Sequence, residues 1–220
     1  CDGPVIQAAS GRALKSGMSL ARSLALAASL RREVATPIVL FSYYNPIFKF
    51  GLERFAREAA AAGVDGLLVV DLPPEEAGPL TAALAGTGIH LIRLAAPTTH
   101  PARIRMLAEG AGGFLYLISR TGVTGTGGLD YAGVARHAAA VKTVCPHPVC
   151  IGFGISTADD ARALAPLADG LVVGSALVRI VEQNPTAPDL PDRVAAKLRE
   201  LRQGMDGAVP NVLAWSAGTQ

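Results

Sequence analysis

Short apolar runs alternate with longer amphipathic segments along most of this chain. The runs fall at Pro37–Tyr43, Gly66–Asp71, Ile89–Leu94, Phe114–Ser119, Pro148–Phe153 and Gly170–Gly174. They are continuously apolar rather than alternating, as expected for parallel strands covered on both faces. Between them, apolar residues recur with helical period. Leu52, Phe55, Ala56, Ala59 and Ala62 share one face, whereas Glu53, Arg54, Arg57 and Glu58 fall elsewhere. The same pattern predicts helices over Leu20–Glu33, Glu75–Ala85, Pro101–Glu109, Tyr131–Thr143, Ala158–Ala165, Ser175–Glu182 and Asp192–Gln203. Pro166 is expected to stop the helix before it, and Ser156-Thr-Ala-Asp159 to cap that helix at its start. Strand-to-strand spacing is that of a βαβ unit.

A weak repeat supports a barrel over a doubly wound sheet. Val64-Asp-Gly-Leu-Leu-Val-Val-Asp71 resembles Ala168-Asp-Gly-Leu-Val-Val-Gly174. Each reads as a helix end, a tight Asp-Gly turn and a buried strand, so one βα unit recurs. A short helix after the last strand, from Ser175, is the phosphate-binding device of many βα barrels. Six strands are legible where a closed barrel needs eight. The chain starts at Cys1 rather than Met, and Asp2-Gly-Pro4 opens an amphipathic helix with no strand ahead of it. The expectation is therefore an incomplete α/β (β/α)8 TIM barrel whose first two strands are missing. It would occupy residues 1–205, with a frayed tail over 206–220.

Composition narrows the class. Half of the 220 residues are hydrophobic and only 17% are charged, which excludes a disordered chain. Net charge is +2 with acids and bases interspersed, so nothing favours nucleic acid or a membrane surface. No apolar run is long enough to span a bilayer. Three cysteines without a framework spacing fit a reducing cytosol. Cys145-Pro-His-Pro-Val-Cys150 reads as a loop entering a buried strand rather than a zinc site, since no second ligand cluster exists. His90, His100, His137 and His147 are scattered and receive no role.

The chemistry concentrates at strand ends. Tyr116-Leu-Ile-Ser-Arg-Thr-Gly-Val-Thr-Gly125 runs from a buried strand into a glycine-rich loop. Gly152-Phe-Gly-Ile-Ser156 and Gly174-Ser175 follow later strands. Three such loops make an anion pocket in which backbone amides approach a ligand; each glycine alone would merely permit a tight turn. Asp2 beside Gly3-Pro4 suits a helix N-terminus equally well. Tyr43, Tyr116 and Phe153 line a pocket or simply pack, and Asp71 orients a loop or caps the following helix.

Taken together and in this order, Asp2-Gly-Pro-Val-Ile-Gln7, Tyr43-Tyr-Asn45, Asp71-Leu-Pro73, Tyr116 to Gly125, Gly152 to Ser156 and Gly174-Ser-Ala176 resemble the tryptophan synthase α subunit family. The segment Ser119 to Gly125 is the most specific of these. The resemblance runs from Asp2 to about Leu201, that is, from the third strand to the last helix of the family's barrel. It implies a lyase of L-tryptophan biosynthesis that cleaves indole-3-glycerol phosphate to indole and glyceraldehyde 3-phosphate. It implies no cofactor and no metal in this chain, and pyridoxal phosphate only in a partner β subunit of an α2β2 complex in the cytoplasm.

On the same resemblance Asp2 is catalytic. Tyr43, Asp71, Tyr116, Arg120, Thr124 and Phe153 contact substrate, with Arg120 and Thr124 on a lid. Gly125, Gly154, Gly174 and Ser175 hold the phosphate. The family's second acid/base, a glutamate on strand two, would lie before residue 1, so little or no lyase activity is expected of these residues alone. Another phosphate-binding barrel, such as a phosphosugar isomerase, and a non-catalytic fragment that binds the β subunit are the alternative readings.

Overall fold

The structure is a computed structural model, and it describes residues 2–119, 131–152 and 154–208. Six parallel strands follow one another in sequence order as a single arc: β1 (Val39–Ser42), β2 (Gly66–Val69), β3 (His90–Ala95), β4 (Leu115–Ile118), β5 (Val149–Gly152) and β6 (Gly170–Val172). Each pairs in parallel with the next. Helices link them: α1 (Pro4–Lys15) and α2 (Leu20–Arg31) before β1, then α3 (Tyr44–Phe50) and α4 (Leu52–Ala61). After these come α5 (Gly78–Leu84), α6 (Pro101–Glu109), α7 (Tyr131–Lys142), α8 (Ala158–Leu164), α9 (Ser175–Gln183) and α10 (Leu190–Asp206). Sequential parallel strands, each followed by a helix, form an arc of a (β/α)8 barrel.

The strands' two faces do different jobs. Outward residues pack under the helices in two clusters. One surrounds Ile47, Phe55, Leu67 and Leu80; the other surrounds Ile104, Leu115, Val149, Ile151, Leu164 and Leu201. Phe55 is fully buried on α4, which explains the apolar stripe on that helix; truncation to alanine would cost about 3–5 kcal/mol. The inward face is smaller, with Leu68, Ile92 and Tyr116 backed by Val70, Leu94, Phe114, Ile118 and Val172. It thins toward β1, where Phe41 is 51% exposed.

All six expected strands are present within a few residues of their expected ends. Four local readings need correction. The helix expected at Glu75–Ala85 is broken into a 3-10 turn (Pro74–Glu76) and α5, because Pro79 lacks an N–H and opens a new helix. The cap of α8 is shifted by one residue. Thr157 is the N-cap and Asp160, not Asp159, closes a reciprocal capping box. The short helix α3 was not expected at all.

The Asp-Gly pairs, finally, are not tight turns: Gly66 and Gly170 do not have positive φ. A Cβ on Gly66 would lie 3.1 Å from Ile92 Cδ1, and one on Gly170 would lie 2.9 Å from Cys150 Sγ. Those glycines make room inside the arc. The aspartates reach across to the preceding strand in each unit. Asp65 Oδ2 accepts from the Ile38 N–H at 2.7 Å and Asp169 Oδ2 from the Val149 N–H at 2.8 Å. Each aspartate also pairs with a base, Arg31 or Lys142.

Candidate active site

Because every strand is parallel, their C-terminal ends share one rim, and the candidate residues Tyr43, Asp71, Gly154, Gly174 and Ser175 follow strand ends there. Tyr43 follows β1 and is the N-cap of α3. Its hydroxyl donates to Asp2 Oδ2 at 2.8 Å, so residues far apart in sequence meet here. That hydrogen bond, reinforced by partial burial, pushes the phenol above its ordinary value. Asp2 does not cap α1. Gly3 is the N-cap and has no side-chain cap bond, so the carboxylate faces Tyr43 instead. One carboxylate oxygen is therefore engaged, and the other has no partner among the described residues.

Asp71, just beyond β2, accepts the Tyr44 N–H on Oδ1 at 2.7 Å. It caps α3, the helix of the neighbouring unit, not the helix that follows it. A cavity of about 280 Å³ lies beside Asp71, between β2, β3 and α6, and includes Thr99, Arg93 and Leu107 in its wall. Leu91, which points outward from β3, and Leu107, which points inward from α6, place it on the helix side of the sheet.

Tyr116 on β4 is buried on the inner face and meets the edge of the Phe41 ring, with centroids 6.1 Å apart at 77°. Burial pushes its phenol well above the usual range. Across the sheet, Gly152 is the reason that the ring fits. A Cβ there would overlap the Tyr116 hydroxyl. Gly154 has φ +79°, a left-handed conformation that favours glycine, and it begins the loop into α8.

Gly174 is the N-cap of α9 and Ser175 its first residue. Gly174 O accepts from Leu177 N and Val178 N, at 3.0 and 3.1 Å. The amides of the first turn of a helix have no intrahelical acceptor and attract an anion. Arg12 near the end of α1 bonds Glu182 near the end of α9 at 2.9 Å. The helix that follows Asp2 thus lies against the helix that Ser175 begins, and both head from the same rim. Arg120, Thr124, Gly125 and Phe153 lie outside the described residues.

Among the described residues no group of three or more His, Cys, Asp or Glu side chains is arranged to hold a metal, and no helix is long and apolar enough to cross a membrane. Cys145 Sγ is 3.6 Å from the His147 carbonyl. Cys150 lies on the sheet, where burial pushes its thiol up to about 11.

One group of polar residues escaped the sequence reading. Ser156, Thr157, Asp160 and Tyr131 form a hydrogen-bonded cluster beside Gly154. Its signal was present as a capping pattern, but the partner Tyr131 comes from another helix.

Comparison with known proteins agrees with this architecture. A sequence model described as the tryptophan synthase alpha chain matches residues 1–210. A tryptophan synthase alpha chain of Desulfosudis oleivorans is 50% identical over 201 residues, covering 91% of this chain and 76% of the relative. One of Nitrosococcus oceani is 46% identical over 213 residues, covering 96% and 78%. Among solved structures, tryptophan synthase subunit alpha from Legionella pneumophila superposes with a TM-score of 0.85 at 34% identity, covering 94% of this chain and 77% of that one. A chain in the tryptophan synthase α2β2 complex from Pyrococcus furiosus superposes with a TM-score of 0.79 at 36% identity, covering 92% and 80%. With its sequence matched over nearly its whole length and its strand arc superposed on those structures, this chain belongs to the tryptophan synthase alpha chain family.

Proposed function

We propose that this chain binds indole-3-glycerol phosphate and takes part in its retro-aldol cleavage to indole and glyceraldehyde 3-phosphate. The observation that carries the reading is the meeting of Asp2 with Tyr43 on the rim that also carries the head of α9. A sugar phosphate bound there by the Ser175 and Gly174 amides, with Gly154 and Gly125 adding donors, leaves the indole beside Asp2. Tyr43, Tyr116 and Phe153 would wall the ring. Arg120 and Thr124 would close over it, and Asp71 would support that closure from the rim.

The reaction needs a proton delivered to C3 of the indole, which turns the ring into an electrophilic indolenine cation. A base removes the proton of the glycerol hydroxyl next to the scissile bond. The oxygen pair then forms the aldehyde C=O, the bond to C3 breaks, and its electron pair returns to the ring to regenerate indole. Asp2 would stabilise positive charge at the ring N–H through the carboxylate oxygen that Tyr43 leaves unengaged. A second acid/base moves the protons. In the family that group is a glutamate on a strand preceding the Asp2 loop, and these residues do not include it.

The chemistry asks for no cofactor from this chain. Pyridoxal phosphate would belong to a β subunit, joined in an α2β2 assembly in the cytoplasm. In the Pyrococcus furiosus structure the related chain sits in a complex of that composition.

The decisive test is calorimetric titration of indole-3-glycerol phosphate into the 220-residue chain, together with an assay of indole release. Saturable binding is expected, with indole release about 100-fold or more below that of a full-length relative, the usual worth of one proton-transfer group. Asp2→Asn should remove what release remains. Absence of binding would overturn the assignment, and release at the relative's rate would overturn the placing of the second acid/base outside these residues.

A further inference from the structure

The loop between β5 and α8 is held by more hydrogen bonds than a helix start requires. A capping box needs only Thr157 and Asp160. Here the Asp160 N–H donates to Thr157 Oγ1 at 3.1 Å, and Asp160 Oδ2 accepts the Thr157 N–H at 2.9 Å. The same Oδ2 also accepts the Ser156 N–H at 2.9 Å and its hydroxyl at 3.1 Å. The other oxygen, Oδ1, accepts the Tyr131 hydroxyl at 2.8 Å, from the first residue of α7. One carboxylate oxygen thereby holds the loop segment, and the other ties it to α7. That segment starts at Gly154, with its left-handed φ, and is anchored between by Ile155, which is 2% exposed.

We propose that Asp160 and Tyr131 are positioning residues for the phosphate-binding segment from Gly154 to Ser156. The proposal rests on the reading of that segment as part of a phosphate site. A carboxylate so close to a bound dianion repels it unless the carboxylate's charge is spread over donors. Two amides and two hydroxyls do this, and three of the four belong to the loop itself. Among the described residues, Tyr131 is the one donor that comes from outside the loop and its helix. It neutralises Oδ1 and ties the loop to α7. Burial pushes the Asp160 carboxyl up, but the donors outweigh it and hold it at about 2, so it stays ionised and keeps all four bonds at neutral pH.

Tyr131→Phe keeps the ring and removes only the hydroxyl. Thr157→Ala removes the reciprocal cap while leaving the Tyr131 and Ser156 bonds in place. Both variants and the parent chain would be titrated calorimetrically with sn-glycerol 3-phosphate and, separately, with indole, and their folding checked by thermal unfolding. The parent should bind both ligands. Tyr131→Phe should weaken glycerol 3-phosphate about 10-fold, within the worth of a hydrogen bond to a charged group, and leave indole within twofold. Thr157→Ala should lower the unfolding temperature and leave glycerol 3-phosphate affinity within twofold.

Unchanged glycerol 3-phosphate affinity in Tyr131→Phe overturns the positioning role but not the phosphate site. Equal weakening of both ligands overturns it too, since that marks a general loss of structure. A parent that binds indole but not glycerol 3-phosphate overturns the phosphate reading itself, and the inference with it.

Discussion

Asp160 links a single carboxyl to the pH response of the fold. Its folded pKa is held at about 2, below the ordinary aspartate range, by the Ser156, Tyr131 and Thr157 donors acting against burial. The folded state therefore binds this proton less readily than the unfolded one. The sign follows: the stabilisation is complete above about pH 4, the unfolded value, and fades as pH falls toward 2. The stability difference between the parent and Asp160→Asn should be largest near pH 5 and shrink toward pH 2, as urea unfolding at both pH values would measure.

The two aspartates at the N-terminal ends of β2 and β6, opposite the rim, make a second expectation at this scale. Asp65 and Asp169 each accept an amide at the start of the neighbouring strand, and each also pairs with a base at the end of the helix before that strand, Arg31 of α2 or Lys142 of α7. Asp169→Asn should destabilise by about 1–2 kcal/mol, as for a lost charge-assisted bond on a half-exposed side chain. Denaturant midpoints at low and high salt would test this, the loss being smaller at high salt.

Among the elements, α8 and α10 depend on one glycine. Gly204 is buried on α10, and a Cβ there would overlap the Ala158 carbonyl at the start of α8. Helix propensity alone would favour alanine at this position. Backbone overlap should win, because a carbonyl cannot move aside as a flexible side chain can. Gly204→Ala is expected to cost about 1–3 kcal/mol, and a rise in melting temperature would refute the packing argument.

The short helix α3 shows the opposite dependence. Its seven residues are too few to be stable alone, and Asp71 from the next strand supplies the acceptor for its first amide. Asp71→Ala should cost about 1 kcal/mol and speed hydrogen exchange at Tyr44. Unaltered exchange there would show that α3 does not need the cap.

At the scale of the molecule, the arc ends at β1 and β6, neither of which has a second strand neighbour among the described residues. The β1 end is also apolar: Val39 is 39% exposed and Phe41 51%, with Leu26 and Leu30 exposed on the nearby α2. An uncovered strand edge beside apolar side chains promotes association. The 220-residue chain is expected to self-associate with rising concentration, and Phe41→Thr to reduce this while keeping strand propensity. Sedimentation velocity across a concentration series would decide it, and a monodisperse monomer at high concentration would contradict the expectation.

Strands and most helices were readable from the chain because each rests on a local rule. A buried parallel strand must be apolar throughout, and a helix packed on a sheet must carry its apolar residues at helical spacing, so Gly66 to Val69 and the stripe through Phe55 declare themselves. Family membership was readable for a related reason: the loop motifs keep fixed residues at fixed spacing. Tertiary structure alone decided which distant residues meet. Asp2 could have capped its own helix, but the fold sets Tyr43 against it. Asp71 caps a helix that precedes it. Gly66, Gly170 and Gly152 are glycines because neighbouring strands crowd them, and Asp160 finds Tyr131 on another helix. Periodicity records which way a side chain points. It carries no record of what stands opposite, and that is fixed only when the strands are laid side by side.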